Sequence, residues 1–282
     1  MKRIALINDL SGFGKCSLTA AIPVISALGV QACPLPTAVL TAQTGFDSYY
    51  CDDYTDKMDT FTEEWSKMAV TFDGIYSGYL ASPLQMEKVV HFLDRFQKED
   101  TLYLADPILG DNGKAHPFFN QELLSGMKEL TSRATIITPN LTELCLLAGA
   151  DYDALYVHSQ KEDYFQRIQE ICEKLLAHAK HPQTILVTGI LRNQLTGTTV
   201  SNLAVSATEC VSVETPYTGT SFSGTGDLFA SVICGCLVKD LSLQEAMNKA
   251  AVFLQPAIEE ATKLKIPRNH GIYFEKYLGL LM

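Results

Sequence analysis

Short apolar runs alternate with helix-patterned stretches along the first two thirds of the chain, and this alternation restricts the fold more than any other feature. Residues 3–8 read as a strand, 17–28 as a helix stopped by Gly29, and 33–40 as a second strand. Pro34 and Pro36 place regular pairing of that strand late or at a sheet edge. Residues 73–77, 101–105, 134–138 and 184–188 read as further strands. Between them, Ser82-Pro83-Leu84-Gln85 supplies a cap, a proline at the first helical position and a glutamine three residues after the cap. It opens a helix to about Lys98. A helix near 121–130 follows, and Asn140-Leu141-Thr142-Glu143 opens another that stops at Gly149. Over 161–180, Tyr164, Phe165, Ile168, Ile171, Cys172, Leu175, Leu176 and Ala179 line one helical face. Residues 196–213 read as a hairpin or meander, and helices over 226–238 and 243–263 close the pattern, with Pro256 expected to kink or split the second. Strand, helix, strand in repetition requires crossover connections, hence an α/β fold with a mostly parallel central sheet covered on both faces.

Neither a low-complexity linker nor an internal repeat breaks the 282 residues, so one domain over 1–282 is expected. Hydrophobic residues make up 47% of the chain, enough for a large core. The net charge is -10, and such an acidic surface repels a phosphate backbone, which argues against nucleic acid as a partner. A small anion held in a local glycine cradle is not excluded. The N-terminal apolar stretch, Ile4-Ala5-Leu6-Ile7, is too short for a signal peptide or a membrane span, and no other stretch is long enough to cross a bilayer. The expectation is a soluble cytoplasmic protein. Eight cysteines include no C-x-x-C pair and lie mostly in apolar runs, so they read as small hydrophobes rather than as zinc ligands or disulfides. The acidic, turn-rich stretch over 51–63 reads as a surface excursion of the kind that serves as a lid.

The chemistry starts at Gly224-Thr225-Gly226-Asp227, followed at once by the apolar run Leu228-Phe229-Ala230-Ser231-Val232-Ile233. Two glycines permit a tight turn and a close approach of backbone to ligand. A helix starting there aims free N–H groups and its positive end at whatever the turn holds, which favours a phosphate. An aspartate in the same turn can take a proton from an alcohol. Anion cradle and base together suit phosphoryl transfer to a hydroxyl.

Ligands of an open parallel sheet bind at the carboxyl ends of its strands. Those ends carry Asn8-Asp9-Leu10-Ser11-Gly12, Thr41-Ala42-Gln43-Thr44-Gly45, Ser77-Gly78-Tyr79, Asp106-Pro107-Ile108-Leu109-Gly110-Asp111, Thr138-Pro139-Asn140 with Glu143 beyond, and Thr188-Gly189. Taken singly, Asp106 and Asp111 can be turn residues, Glu143 can merely close a capping box, and Tyr79 can be packing. Their recurrence at one edge of the sheet is the more specific signal.

At these residues the chain resembles the ribokinase-like superfamily, and within it the kinases of pyridoxal/pyridoxamine and of hydroxymethylpyrimidine. Gly224-Thr225-Gly226-Asp227 is similar to that family's anion hole and catalytic base, Asp106 to Asp111 to its D-P-[VI]-[ML]-G-D segment, and Thr138 to Glu143 to its T-P-N-x-x-E segment. The resemblance covers essentially the whole chain and implies a three-layer α/β/α kinase. By that resemblance, Asp227 is the general base, and Gly224, Thr225 and Gly226 form the anion hole. Asn140, Thr188 and Thr225 bind ATP, while Asp106, Asp111 and Glu143 arrange Mg²⁺, in part through water. Asp9, Gln43, Thr44 and Tyr79 line the acceptor pocket. Some of these kinases also use a monovalent cation such as K⁺, and the family implies a homodimer.

The chain departs from familiar pyridoxal kinases at Asp9, where many have serine, and at Gln43, where many have histidine. Leu40-Thr41-Ala42-Gln43 is similar to hydroxymethylpyrimidine kinases, whereas Thr44-Gly45-Phe46 resembles the T-G-[YF] of pyridoxal kinases. The expected reaction is ATP-dependent phosphorylation of the hydroxymethyl group of a B6 vitamer. Hydroxymethylpyrimidine kinase activity is the alternative, and a non-catalytic nucleotide- or vitamer-binding regulator is the third reading.

Overall fold

The computed structural model describes residues 1–194 and 197–282. Strands and helices follow in the order β1 (Arg3–Ser11), α1 (Ser17–Ala27), β2 (Gln31–Leu40), β3 (Cys51–Asp53), α2 (Thr55–Lys67), β4 (Gly74–Ser77), α3 (Pro83–Phe96) and β5 (Leu102–Ala105). Then come β6 (Gly110–Asp111), β7 (Lys114–Ala115), α4 (Gln121–Arg133), β8 (Ile136–Ile137), α5 (Leu141–Ala148), α6 (Tyr152–Tyr156), α7 (Tyr164–Leu176), β9 (Thr184–Gln194), β10 (Gly197–Val205) and β11 (Cys210–Pro216). Helices α8 (Thr225–Val238) and α9 (Leu243–Lys263) and two 3₁₀ turns, Arg268–His270 and Phe274–Leu281, complete the described elements.

Nine strands form a mostly parallel sheet in the order β11-β10-β9-β8-β5-β4-β1-β2-β3. β1 pairs in parallel with β2 and β4, and β8 with β9, while β3, β10 and β11 join antiparallel. The chain divides into two compact units, residues 1–104 with 218–282, and residues 105–217. In the first unit, β1 is buried along nearly its whole length, as a strand covered on both faces must be. Helix α1 packs on β1 and β2 and against α8, and α8 packs on α9. A second apolar cluster, Trp65, Phe72, Phe92 and Phe96, joins α2 to α3, with the Phe92 and Phe96 ring centroids 4.6 Å apart. In the second unit, α5 packs on α7 and β9.

Several expectations need correction. Of the two placements expected for the prolines of β2, late pairing is absent, since β2 pairs with β1 from Gln31 onward, and the edge placement is the one observed. Pro34 and Pro36 are tolerated because β3 covers β2 only from Ala38 to Leu40, leaving the proline stretch at the sheet edge. The stretch over 51–63 lies at the surface as expected, but it carries regular structure. It forms the edge strand β3 and most of α2, whose Met58 and Thr62 are buried. Helix α9 is not split at Pro256. The proline deprives the Val252 carbonyl of its donor, and Val252 is exposed, so water can satisfy it. Strand β9 runs past residue 188 to Gln194, and α6 and the β6–β7 hairpin were not anticipated. The meander expected from 196 onward is present as β10 and β11; Thr196 itself lies outside the described residues. Among the described residues no helix is long and apolar enough to cross a membrane.

Candidate active site

Two clusters of polar residues stand at the carboxyl ends of the strands, one in each unit. In the first unit the centre is Asp227, in the first turn of α8. Gly224 caps that helix in the left-handed region, at φ 82°. A Cβ there would overlap the Lys15 carbonyl oxygen, so only glycine fits. The first backbone bond of the helix runs from the Leu228 N–H to the Gly224 carbonyl (3.0 Å), so the N–H groups of Thr225, Gly226 and Asp227 precede it. A Cβ on Gly226 would meet no protein atom within 4 Å, which leaves open space beside those donors. The Thr225 hydroxyl turns back to the Phe222 carbonyl (3.0 Å).

Asp227 is half-buried. Burial pushes its carboxyl up from 3.8 to about 6; the Ser17 backbone N–H opposes this, the nearby Asp9 charge adds to it, and Asn8 and the Tyr76 hydroxyl oppose it. The Asn8 amide nitrogen lies 3.4 Å from Asp227 Oδ1. Asp9 is buried at the end of β1, where its two oxygens accept the hydroxyls of Ser17 (2.5 Å) and Ser11 (2.8 Å). Burial raises its carboxyl, and the two serine hydroxyls oppose the rise. Tyr79 is half-buried, and its N–H donates to Asn8 Oδ1 (2.8 Å). Burial and then the Asp9 charge push its phenol up to about 12, so it stays a neutral donor at neutral pH.

Asp9, Tyr79 and Asp227 are therefore brought together around Asn8. Gln43 and Thr44 lie in the loop that follows β2. The Gln43 side chain is buried and committed at both ends: Oε1 accepts the Gly45 N–H (2.8 Å) and Nε2 donates to the Asn269 carbonyl (3.1 Å). It straps the 43–46 loop to the 3₁₀ turn Arg268–His270. Thr44 is exposed in that loop, and Phe46 beside it meets Phe13 and His270 with ring centroids 5.4 and 5.7 Å away.

In the second unit, Asp106 follows β5 and is buried, with Oδ1 accepting the Thr138 hydroxyl (3.0 Å). Glu143 is only 4% exposed. Its Oε2 accepts the Asn140 N–H (2.8 Å) and closes the capping box of α5, while Oε1 accepts the Leu109 N–H (3.2 Å). Glu143 thus does more than cap. Burial, and after it the neighbouring Asp106 charge, holds its carboxyl well above the usual carboxylate range. Asn140 also donates from its amide to the Gly110 carbonyl (2.8 Å). Thr188, half-buried at the end of β9's parallel stretch, donates its N–H to the Pro139 carbonyl (2.9 Å). Asp111 is exposed in the β6–β7 hairpin, where its carboxylate accepts the N–H and amide of Asn112 (both 2.9 Å).

A site for Mg²⁺ was expected at Asp106, Asp111 and Glu143. Asp106 and Glu143 are buried oxygen donors whose charges act on each other, which is the chemistry of a hard cation's ligands. Among the described residues no group of three or more acidic, histidine or cysteine side chains could enclose a metal. The pair therefore fits a cation that brings most of its ligands as water and phosphate oxygens, as Mg²⁺ does.

Sequence reasoning passed over Asn8, Ser11, Ser17 and Tyr76. Asn8 and Ser11 stood in the polar string after the first strand. Ser17, at φ 51°, begins α1 by bringing its hydroxyl to Asp9 and its N–H to Asp227, a conformation the sequence did not announce.

An open, mostly parallel sheet with a glycine-capped helix terminus and acidic residues at its strand ends is an α/β architecture that binds its ligands at those ends. The chain matches the phosphomethylpyrimidine kinase family over residues 14–273 and belongs to that family. It is a kinase of the pyridoxal and hydroxymethylpyrimidine kinase group. A protein of Bacteroides thetaiotaomicron, provisionally named a phosphomethylpyrimidine kinase, is 37% identical, with a TM-score of 0.89 over 98% of this chain and 92% of that one. A second crystal form of that protein, 36% identical with a TM-score of 0.87 over 99% of this chain and 95% of that one, is described as containing pyridoxal. A pyridoxal kinase of Leifsonia xyli is 25% identical over 88% of this chain and 85% of its own length. A hydroxymethylpyrimidine/phosphomethylpyrimidine kinase of Staphylococcus aureus is 28% identical over 72% of this chain and 69% of its own length.

Proposed function

We propose that this chain transfers the γ-phosphoryl group of ATP to the hydroxymethyl oxygen of a B6 vitamer (pyridoxal, pyridoxamine or pyridoxine), with Asp227 as the general base. The observation that carries the reading is Asp227 itself. A carboxyl pushed up to about 6 sits in the same helix turn as three N–H groups and the open space at Gly226. A base of that pKa is ionised at neutral pH and still accepts a proton readily. As the bond forms between the acceptor oxygen and the γ-phosphorus, the bond from phosphorus to the β-bridging oxygen breaks and ADP leaves. The hydroxyl proton passes to Asp227. The N–H groups of Thr225, Gly226 and Asp227 hold the transferring phosphoryl oxygens, where preorganised donors are most effective.

Asn140 and Thr188 bind the ATP phosphates. Asp106 and Glu143, with Asp111 at the hairpin, hold Mg²⁺, which neutralises phosphate charge when bound. Asp9, Gln43, Thr44 and Tyr79 contact the acceptor. The whole chain over 1–282 serves as one kinase domain, and by family likeness its working unit is a cytoplasmic homodimer.

The competing substrate is hydroxymethylpyrimidine or its phosphate, which the family description and the Staphylococcus aureus relative favour. The sequence feature behind that alternative was Gln43. Its amide bonds the Gly45 N–H and the Asn269 carbonyl and keeps one lone pair and one N–H that a ligand can use. The pyridoxal in the Bacteroides thetaiotaomicron relative supports the B6 reading. The test is ATP consumption with Mg²⁺ across pyridoxal, pyridoxamine, pyridoxine, hydroxymethylpyrimidine and its phosphate. The highest kcat/KM is expected on a B6 vitamer. Turnover confined to the pyrimidines would refute the substrate assignment, and no turnover on any would move the weight to a binding protein.

A further inference from the structure

Asn8 is 2% exposed, lies in β1, and has no part in the reaction described so far. Its amide touches both halves of the acceptor-side cluster. Oδ1 accepts two backbone N–H groups, from Tyr79 (2.8 Å) and from Asp9 (3.0 Å). A backbone N–H can only donate, so the oxygen must face that pair and the NH₂ must face the other way. What it faces is Asp227 Oδ1, 3.4 Å from Nδ2. Gly78 closes the amide in from behind: a Cβ on Gly78 would overlap the Asn8 amide nitrogen, so this close approach depends on glycine. Gly78 is in turn held by its N–H to the Ile7 carbonyl (2.9 Å).

Resting on the reading of Asp227 as the base, we propose that Asn8 is a positioning residue, whose fixed amide sets the orientation of the Asp227 carboxylate. The same amide ties the backbone of Tyr79, an acceptor contact in that reading, to the group that takes the acceptor's proton. The titratable groups around Asp227 are Asp9 from β1, Tyr76 from β4 and Cys16 before α1. Asp9 repels a charge on Asp227, whereas Asn8 and the Tyr76 hydroxyl favour it. The long Nδ2 contact has room to shorten as the base engages the acceptor, as catalytic hydrogen bonds do when substrate arrives.

The bland alternative is that Asn8 only satisfies two buried N–H groups. That role needs its acceptor oxygen but not its donor. Asn8→Asp separates the two, because an aspartate of the same shape keeps an oxygen for Tyr79 and Asp9 and replaces the donor by a second anion. With a B6 vitamer and ATP as substrates, Asn8→Asp is expected to lower kcat about tenfold or more with the KM values changed far less. The acid limb of its kcat–pH profile should move alkaline by about one pH unit. A kcat within twofold of wild type and an unmoved limb would overturn the proposal. Should Asn8→Asp not fold, Asn8→Ala is compared in wild-type and Asp227→Asn backgrounds. Loss of turnover only where Asp227 is present supports positioning, and an equal loss in both backgrounds refutes it. Asp227→Asn alone distinguishes the two failures. If that variant turns over like wild type, the base assignment falls and the proposal with it. If it is inactive while Asn8→Asp is normal, only the role of Asn8 is lost.

Discussion

Replacing Asp227 with asparagine keeps the side chain's shape and removes its charge, so it should cost turnover and add stability together. Burial holds the Asp227 carboxyl at about 6 instead of 3.8. At about 1.4 kcal/mol per pH unit, ionising it in the folded protein costs about 3 kcal/mol relative to the unfolded chain. Because the folded pKa lies above the unfolded one, the native state binds the proton more tightly. The penalty is absent below pH 3.8, grows between there and about pH 6, and is complete above it. The bond from the Ser17 N–H to the carboxylate is already contained in that value, so the neutral asparagine should gain up to about 3 kcal/mol at pH 8, a rise in Tm of about 6–9 °C for a chain of this size. Turnover should fall by about 10²–10⁴-fold while ATP binding survives. The assay pairs steady-state kinetics with denaturant melts at pH 8 and near pH 4.5. Two results would refute the reasoning. One is turnover within tenfold of wild type; the other is a stability difference that is the same at both pH values.

Gly224→Ala should destabilise by about 3 kcal/mol or more, because it adds a left-handed φ penalty to a collision with the Lys15 carbonyl; thermal melts with ATP titration will show it. Gln43→Ala should lower stability by about 1–3 kcal/mol through the loss of its two bonds to Gly45 and Asn269. It should leave the ratio of kcat/KM for pyridoxal over hydroxymethylpyrimidine within about threefold, and a larger change in that ratio would make Gln43 a contact that discriminates between the two. Glu143→Gln keeps the length of the side chain but turns one of the two oxygens that accept the Asn140 and Leu109 N–H groups into a donor. The Mg²⁺ concentration for half-maximal turnover should rise about tenfold and stability should fall by about 1–3 kcal/mol, as read by kinetics at several Mg²⁺ levels and by thermal melts.

The class of fold was readable because β1, β4, β5 and β9 are short apolar runs separated by capped helices, and a local pattern of that kind encodes its own crossover connections. Ser82, Asn140 and Ser242 each cap a helix with a side-chain oxygen, because capping depends on residues within one turn. Helix α2 was missed because its buried face is small, Met58 and Thr62, and its acidic composition resembles a loop. The β6–β7 hairpin hid behind an Asp-Asn-Gly string that is equally a turn.

The residues of the candidate site divide in the same way. The glycine turn, Asp227, Asp106 and Glu143 announce their chemistry by residue type and spacing. Only tertiary structure decided what each polar side chain spends its bonds on. Gln43 stands in a polar string after a strand, and its amide reaches Gly45 and Asn269, the latter 226 residues away in sequence. Asn8 looked like the tail of a strand, yet its amide meets Asp227, 219 residues downstream. A sequence specifies which hydrogen-bonding groups a chain carries and the local periodicity that buries or exposes them. Which donor meets which acceptor, and hence whether a carboxylate sits at 3.8 or about 6, depends on distances set only when strands far apart in the chain are packed side by side.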